Sequence, residues 1–369
     1  MKLLYLTHED INRTAVAKAM MYDIAMILSE KYEVSVISAT DKKNKNERFY
    51  TDGNVNNIKF CRSVYGGVDI IDVFKLFLFS FSILFNIVRN DVVFVRSYPM
   101  MIFGLMGKLV RKKVIFDPRG LGFLEMVDSG KVKKYLSVST LQKIERLFIK
   151  YSDVVICVSE AHKDYYINEY QMNEKYKVIY NGTENEFNNP ILDITSNEVF
   201  KIVYLGSLIK WHCPERVNAL LENIHNKGVL FEFHCITKDI KKAEDIFKGD
   251  YKKIIYSHQY RSNPIKFNLG VCLIADTLSK SACFPVKFSE YLSSGTPVVF
   301  SNNVDVCKKV SEKQHVGLGI NLSENDDYIA ERIISYLNNN NNNEVNLPQD
   351  LTKKVMIDKV DAILSEFNL

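Results

Sequence analysis

Two kinds of sequence pattern alternate along the whole chain, and this alternation limits its fold more than any other feature. Short runs rich in Val and Ile lie at 2–7, 33–38, 91–96, 113–117, 153–159 and 177–180. Longer stretches with helical periodicity fall between them at 15–30, 72–89, 99–110 and 135–151. Continuous apolar runs of strand length separated by amphipathic helices are the pattern of parallel strands buried on both faces. Repetition of the unit predicts a doubly wound α/β sheet. A polar stretch at 185–198 interrupts the pattern and reads as a linker, after which it restarts. Strand-like runs follow at 200–205, 230–236, 253–256, 270–274, 297–301 and 317–321, with helices at 214–226 and 327–337. The asparagine run at 338–343 reads as a solvated loop, and a last helix is expected at 350–367. The expected organisation is an N-terminal Rossmann-like domain at 1–184, a second at 199–348, and a C-terminal helix at 349–369 packing back on the first. Two such domains facing a central cleft bind ligand at the carboxyl ends of their strands.

Composition narrows the function classes. The chain has 369 residues, 47% hydrophobic and 25% charged, with a formal net charge of +4, which argues against a dedicated nucleic-acid binder. The charge is uneven. Residues 1–185 carry 27 Lys and Arg against 21 Asp and Glu, so the front half is the basic half. The seven cysteines are scattered without a C-x-x-C pair, which predicts neither a disulfide framework nor a metal site. The apolar run in MKLLYLTHED is far shorter than a signal-peptide core, so the expected location is a reducing cytoplasm.

The segment FPVKFSEYLSSGTPVV, residues 284–299, holds the most informative local chemistry. Pro285 suits the start of a helix and Gly295 followed by Pro297 marks its end. Lys287 then sits in the first helical turn, where the macrodipole favours anions, so it is electrostatically misplaced unless an anion binds there. Free N–H groups at a helix N-terminus already form an anion site, and a diphosphate would gain a charge-assisted bond from Lys287. Glu290, three residues on, lies on the same face about 4.5 Å further along the axis, within reach of a ribose whose paired hydroxyls suit a carboxylate. The plainer alternative is a surface Lys–Glu pair.

This segment resembles the C-terminal signature of glycosyltransferase family 4, in a variant reading Pro-x-Lys-x-x-Glu-Tyr. VIFDPRG (114–120), SDVVICVSE (152–160), KVIYNGT (177–183) and KIVYLGS (201–207) resemble further segments of that family in the same order. The resemblance implies a GT-B fold and retaining transfer of a sugar from a nucleotide-diphosphate donor, a UDP- or GDP-sugar, with no metal or other cofactor. The acceptor would be a growing cell-surface glycan of capsule, O-antigen or exopolysaccharide type, free or lipid-linked. By position, Glu290 would hold the ribose, and Phe284, Pro285, Val286 and Lys287 the diphosphate. Two departures stand out. Ala282 occupies the place of a second, sugar-contacting glutamate, leaving sugar recognition to Asp276 or Lys280. Ser207 replaces a diphosphate-binding arginine, with Lys210 and His212 as approximate substitutes for a later lysine. These departures keep two other readings open: a UDP-sugar epimerase of the same fold, and a binding protein that has lost catalysis.

Three residues of the first half are candidate catalytic groups. His8 and Glu9 follow the first strand in THEDINRT, and would contact acceptor or transferring sugar, or else serve the turn. Arg119, in a Pro-Arg-Gly turn after a strand, would reach phosphate or acceptor, or else be structural. Trp211 reads equally as core or as cleft wall. The charge-free stretch at 76–88 is too short to span a bilayer. It reads either as a buried helix or, with basic clusters at 107–113 and at Lys131, Lys133 and Lys134, as a face resting on anionic lipid at the inner side of the plasma membrane.

Overall fold

Val, Ile and Phe suit a pleated surface covered on both sides, and in this computed structural model every run expected to be a strand forms one. The structure describes residues 1–9, 21–40, 49–52, 54–61, 70–130, 137–184, 192–193, 199–256, 265–339 and 345–367. The chain divides into two compact units, Met1–Ile179 with Ile357–Leu369, and Tyr180–Met356.

The sheet of the first unit has eight strands: β1 (Lys2–Thr7), β2 (Glu33–Thr40), β3 (Phe49–Asp52), β4 (Val55–Cys61), β5 (Val92–Arg96), β6 (Lys113–Asp117), β7 (Val154–Cys157) and β8 (Tyr176–Val178). Their order is β3-β4-β2-β1-β5-β6-β7-β8, parallel throughout except for β3, which runs antiparallel to β4 at the edge. The β3–β4 hairpin was not expected from the sequence. The order reverses between β1 and β5, where Leu3 pairs with Val92 and Thr7 with Arg96. Such a reversal opens a crevice at the carboxyl ends of the strands. The first unit also takes in the end of the Lys353–Glu366 helix, where the Tyr32 hydroxyl donates to Asp361 at 2.6 Å.

In the second unit, β10 (Phe200–Leu205), β11 (Phe231–Ile236), β12 (Lys252–Tyr256), β14 (Leu269–Cys272), β15 (Val298–Ser301) and β16 (Gly317–Ile320) form an all-parallel sheet ordered β12-β11-β10-β14-β15-β16. This is the strand order of a dinucleotide-binding Rossmann sheet, with its reversal between β10 and β14. Two two-residue strands, β9 (Leu192–Asp193) and β13 (Ile265–Lys266), pair with each other, so part of the expected linker forms a short ladder. The helix Pro214–Asn226 shows why its sequence covers the sheet. Pro214 starts it at no hydrogen-bond cost, and Val217, Leu220, Leu221 and Ile224 recur at helical spacing and are all buried. Each contributes about 1.5–3 kcal/mol of apolar burial.

Asn338 and Asn339 end the helix Asp326–Asn339 rather than beginning a loop. The remaining asparagines of that run, the whole segment 10–20, and Lys131, Lys133 and Lys134 lie outside the described residues.

Candidate functional site

The second unit gathers its polar chemistry where β10 and β14 part. The two strands pair only at Ile202–Leu269 and Val203–Gly270, so the N–H of Leu205 has no neighbouring strand on that side. The Tyr291 hydroxyl fills the gap, accepting from Leu205 N at 2.7 Å and lying 3.3 Å from the Val271 carbonyl. Tyr291 belongs to the helix Val286–Ser293, and its buried ring fixes that helix under the reversal point. Gly270 makes this possible, since a Cβ there would sit 2.6 Å from the Tyr291 ring. Glu290 is the next residue back along the helix and is only partly buried.

The helix begins after Pro285, whose side chain caps nothing, so the first-turn N–H groups keep their capacity for an anion. Lys287 is not the surface partner of Glu290. It is only 7% exposed, its ammonium lies 4.4 Å from the centroid of the Tyr204 ring, and Nζ makes no hydrogen bond. Burial pulls its pKa below the ordinary lysine value, against weaker upward pulls from Cys272, Cys213 and Glu290. A buried cation without a hydrogen-bonding anion is costly, and here it lies in the first turn of a helix, where the dipole adds to the cost.

The turn after β10 is built around the Ser207 carbonyl. It accepts from the Tyr204 hydroxyl and from His212 Nδ1, both at 2.8 Å. Gly206 enters this turn at φ +108°, a conformation suited to glycine. Burial, helped by Lys287 and Lys280, lowers the His212 pKa to about 3. His212 is therefore neutral and does not supply the cation that its place in the sequence suggested. Ser207, Lys210 and Asp276 are exposed on the loops leaving β10 and β14. Phe284 is buried, its ring 5.9 Å from that of Tyr180, and Pro285 is buried beside it, with Val286 partly so. Ala282 is buried and offers no polar group.

In the first unit, the reversal between β1 and β5 carries a separate cluster. His8 Nδ1 lies 2.6 Å from Ser97 Oγ, and Ser97 holds φ +89°. Glu9 approaches Arg96 Nε at 3.5 Å, Arg96 reaches Asp117 at 3.7 Å, and Arg119 reaches the same Asp117 oxygen at 3.4 Å. Burial, then the charge of Arg96, lowers the Arg119 pKa to about 10. His8, Glu9 and Arg119 are thus brought together. Sequence reading missed Arg96 and Asp117, although each ends an apolar strand with a charge, which was the available signal. Arg119 itself has φ +66°, and the turn that bears it is tied down by Tyr98, whose hydroxyl accepts from Gly122 N at 3.2 Å and donates to buried Glu145. Tyr170 and Tyr166 also donate to Glu145, at 2.6 and 3.2 Å.

Among the described residues, no group of His, Cys, Asp or Glu has the arrangement of a metal site. No curated protein matches the chain by sequence. Residues 18–187 match the model of Glycosyltransferase Family 4. Sucrose-phosphate synthase from Thermosynechococcus elongatus is similar in structure at 10% identity, with a TM-score of 0.72 over 99% of this chain and 98% of that one. HepE of Anabaena, solved in complex with UDP, is similar at 13% identity and a TM-score of 0.68, over 99% of this chain and 100% of its own. The lipopolysaccharide outer core galactosyltransferase WaaB, in its apo form, aligns with TM-score 0.66 at 12% identity over 99% and 100% of the two chains. The two Rossmann-like units and the structural similarity over nearly the whole chain give it the GT-B fold, and residues 18–187 are similar to glycosyltransferase family 4.

Proposed function

We propose that the chain is a retaining glycosyltransferase that takes a sugar from a UDP- or GDP-sugar and adds it to a growing cell-surface glycan on a lipid-linked acceptor. One observation carries the donor half of this reading: a lysine buried to 7% exposure, its ammonium without a hydrogen bond, in the first turn of a helix at the β10–β14 reversal. A diphosphate at that N-terminus supplies the missing anion. The backbone of Phe284, Pro285, Val286 and Lys287 then holds the phosphates, and Glu290 the ribose. Ser207, Lys210 and Asp276 border the donor on the adjoining loops. His8, Glu9 and Arg119 of the first unit contact the transferring sugar and the acceptor. The UDP bound by HepE and the similarity to WaaB, a lipopolysaccharide outer core galactosyltransferase, fit a nucleotide-sugar donor and a surface glycan.

The Glu290 role is tested by steady-state transfer with Glu290→Gln, which keeps the shape and removes the charge. Each weakened charge-assisted bond is worth up to about 1.5–3 kcal/mol, so catalytic efficiency toward the donor should fall at least 10-fold. Wild-type kinetics would remove Glu290 from the site.

The lipid-linked acceptor implies contact with an anionic membrane surface from the cytoplasmic side. Support comes from the packed helices Ile70–Arg89 and Met101–Leu109 of the first unit. Phe81, Phe85, Val88, Ile102 and Leu109 all stand exposed, Phe85 at 56% and Leu109 at 82%. Arg89 lies 4.0 Å over the Phe85 ring, and Arg111 is exposed just past Leu109. Apolar side chains rimmed by cations suit the interface of an anionic bilayer. Among the described residues no helix is long and apolar enough to cross a membrane. Vesicle sedimentation should show binding to phosphatidylglycerol-containing but not to phosphatidylcholine vesicles, weakened by salt and by Phe85→Ser with Leu109→Ser. Equal recovery in the supernatant with both lipids at low salt would overturn this part of the reading.

A further inference from the structure

Two residues that lack glycine's freedom hold positive φ at the ends of neighbouring strands of the first unit: Ser97 after β5, at +89°, and Arg119 after β6, at +66°. Such backbone is strained for an L-residue and persists only where its surroundings over-determine it. The two turns lie side by side, since Arg96 pairs with Asp117 in the sheet and Ser97 N donates to the Asp117 carbonyl at 3.0 Å. One side chain joins them. Tyr98 follows Ser97 directly, and its hydroxyl accepts from Gly122 N at 3.2 Å and lies 3.0 Å from the Gly120 carbonyl. The Arg119 turn rests on the ring itself, because a Cβ at Gly122 would sit 2.5 Å from a Tyr98 ring carbon.

Tyr98 is itself fixed by its neighbours. Its ring stands edge-on to Phe116 at 5.4 Å and lies 4.5 Å from the Phe123 ring. Its hydroxyl donates to Glu145, a carboxyl only 3% exposed in the helix Val138–Lys150. A carboxylate is costly to bury unless its oxygens are hydrogen-bonded, and Tyr166 and Tyr170 donate to this one as well. An ionised carboxylate can only accept, so Glu145 decides where the single hydroxyl proton of Tyr98 goes. The Tyr98 oxygen is then left to accept from Gly122 N, the bond that pins the turn. An apolar side chain at position 145 would fill the same space without directing that proton, which would turn to the Gly120 carbonyl.

Resting on the reading of Arg119 as a contact to the transferring sugar, we propose that Tyr98, oriented by Glu145, is the positioning residue of Arg119, holding its turn in the strained conformation that transfer requires. Tyr98 and Glu145 are both buried and act only through that turn.

The test measures the nucleoside diphosphate that the full chain releases from UDP-glucose, UDP-galactose, UDP-N-acetylglucosamine and GDP-mannose, with melting curves alongside. On the donor that wild type turns over, Arg119→Ala should lower kcat at least 10-fold. Tyr98→Phe, which keeps the ring, should lower it about 10-fold and leave KM for the donor unchanged. Glu145→Leu should also lower kcat, and Glu145→Gln, whose amide oxygen still accepts from Tyr98, should keep most of the rate. In the Arg119→Ala background Tyr98→Phe should have no further effect, whereas a merely structural tyrosine would cost the same factor in both. A Tyr98→Phe variant with the wild-type rate, or with equal losses in the two backgrounds, would overturn the proposal while leaving Arg119 in its role. Wild-type turnover by Arg119→Ala would overturn the reading of Arg119 and this inference with it. Absence of turnover of all four donors by wild type would overturn the transferase reading itself.

Discussion

Lys287→Met should melt at a higher temperature than wild type and lose most of its affinity for nucleoside diphosphates. The two effects have one cause. In the unliganded protein the ammonium is buried, makes no hydrogen bond, and rests only against the Tyr204 ring. Replacing buried ionic groups with apolar ones of similar volume gains about 1–4 kcal/mol, less about 0.5–2 kcal/mol for the lost cation–π contact. In the complex the same charge meets a diphosphate, and its removal should weaken binding about 10- to 100-fold. A pH dependence follows from the depressed lysine pKa. Below the folded-state value the lysine is charged in both states and the fold bears the full penalty. As pH rises through that value toward the ordinary lysine value, the folded protein sheds the proton first and the penalty disappears. The stability advantage of Lys287→Met should therefore be largest at neutral pH and narrow into the alkaline range. Paired melting curves across pH measure it. A variant that melts lower than wild type at neutral pH and binds normally would contradict the assignment.

Gly270→Ala should destabilise the second unit and weaken donor use through a single added methyl group. The added Cβ would lie 2.6 Å from the Tyr291 ring, which is fully buried and braced by its hydroxyl on Leu205. Overpacking of this kind costs about 1–3 kcal/mol. The ring cannot withdraw without leaving the Leu205 N–H unsatisfied at about 1–3 kcal/mol more. Tyr291→Phe should show that second cost alone. Shrinking the ring position, as in Tyr291→Leu, should cost stability by itself yet rescue part of the loss from Gly270→Ala, a coupling expected of residues in contact. Chemical denaturation of the single and double variants measures it, and strict additivity would mean that the two residues do not meet as described. Because Tyr291 also places Glu290, Gly270→Ala should weaken donor use beyond its effect on folding.

The strands could be read from the sequence because a parallel strand covered on both faces must be apolar along its whole length. Elements whose burial is polar or aromatic could not. The helix Glu160–Tyr170 buries His162, Tyr166 and Tyr170, which no apolar periodicity reveals; Tyr166 and Tyr170 donate to Glu145, and His162 Nδ1 accepts from Val158 N. The helix Asp305–Gln314 buries only Val306 and Cys307 and reads as a solvated segment. Strand β4, next to the edge strand β3, carries Asn56 and Asn57 within VNNIKFC, too polar to stand out.

At the site, the position of Lys287 in the first turn could be read from Pro285 and the macrodipole, but its burial could not. Burial depends on the Tyr204 ring, which comes from a strand more than eighty residues earlier. The same holds for His212. Its spacing suggested a cation, whereas its neighbours make it a neutral donor to the Ser207 carbonyl. Arg96 and Asp117 meet Glu9 and Arg119 only because β5 and β6 end side by side with β1.

The measurement that tests the account most directly is the proton balance of nucleoside-diphosphate binding, followed as pH rises from neutral toward the ordinary lysine value. It is obtained by calorimetric titration in buffers of different ionisation enthalpy. A diphosphate docking against Lys287 restores its proton, because an adjacent anion favours the charged form. Wild type should therefore bind with net proton uptake, and Lys287→Met should bind at least 10-fold more weakly without it. Tight binding with the same proton balance in both proteins would show that the phosphates lie elsewhere.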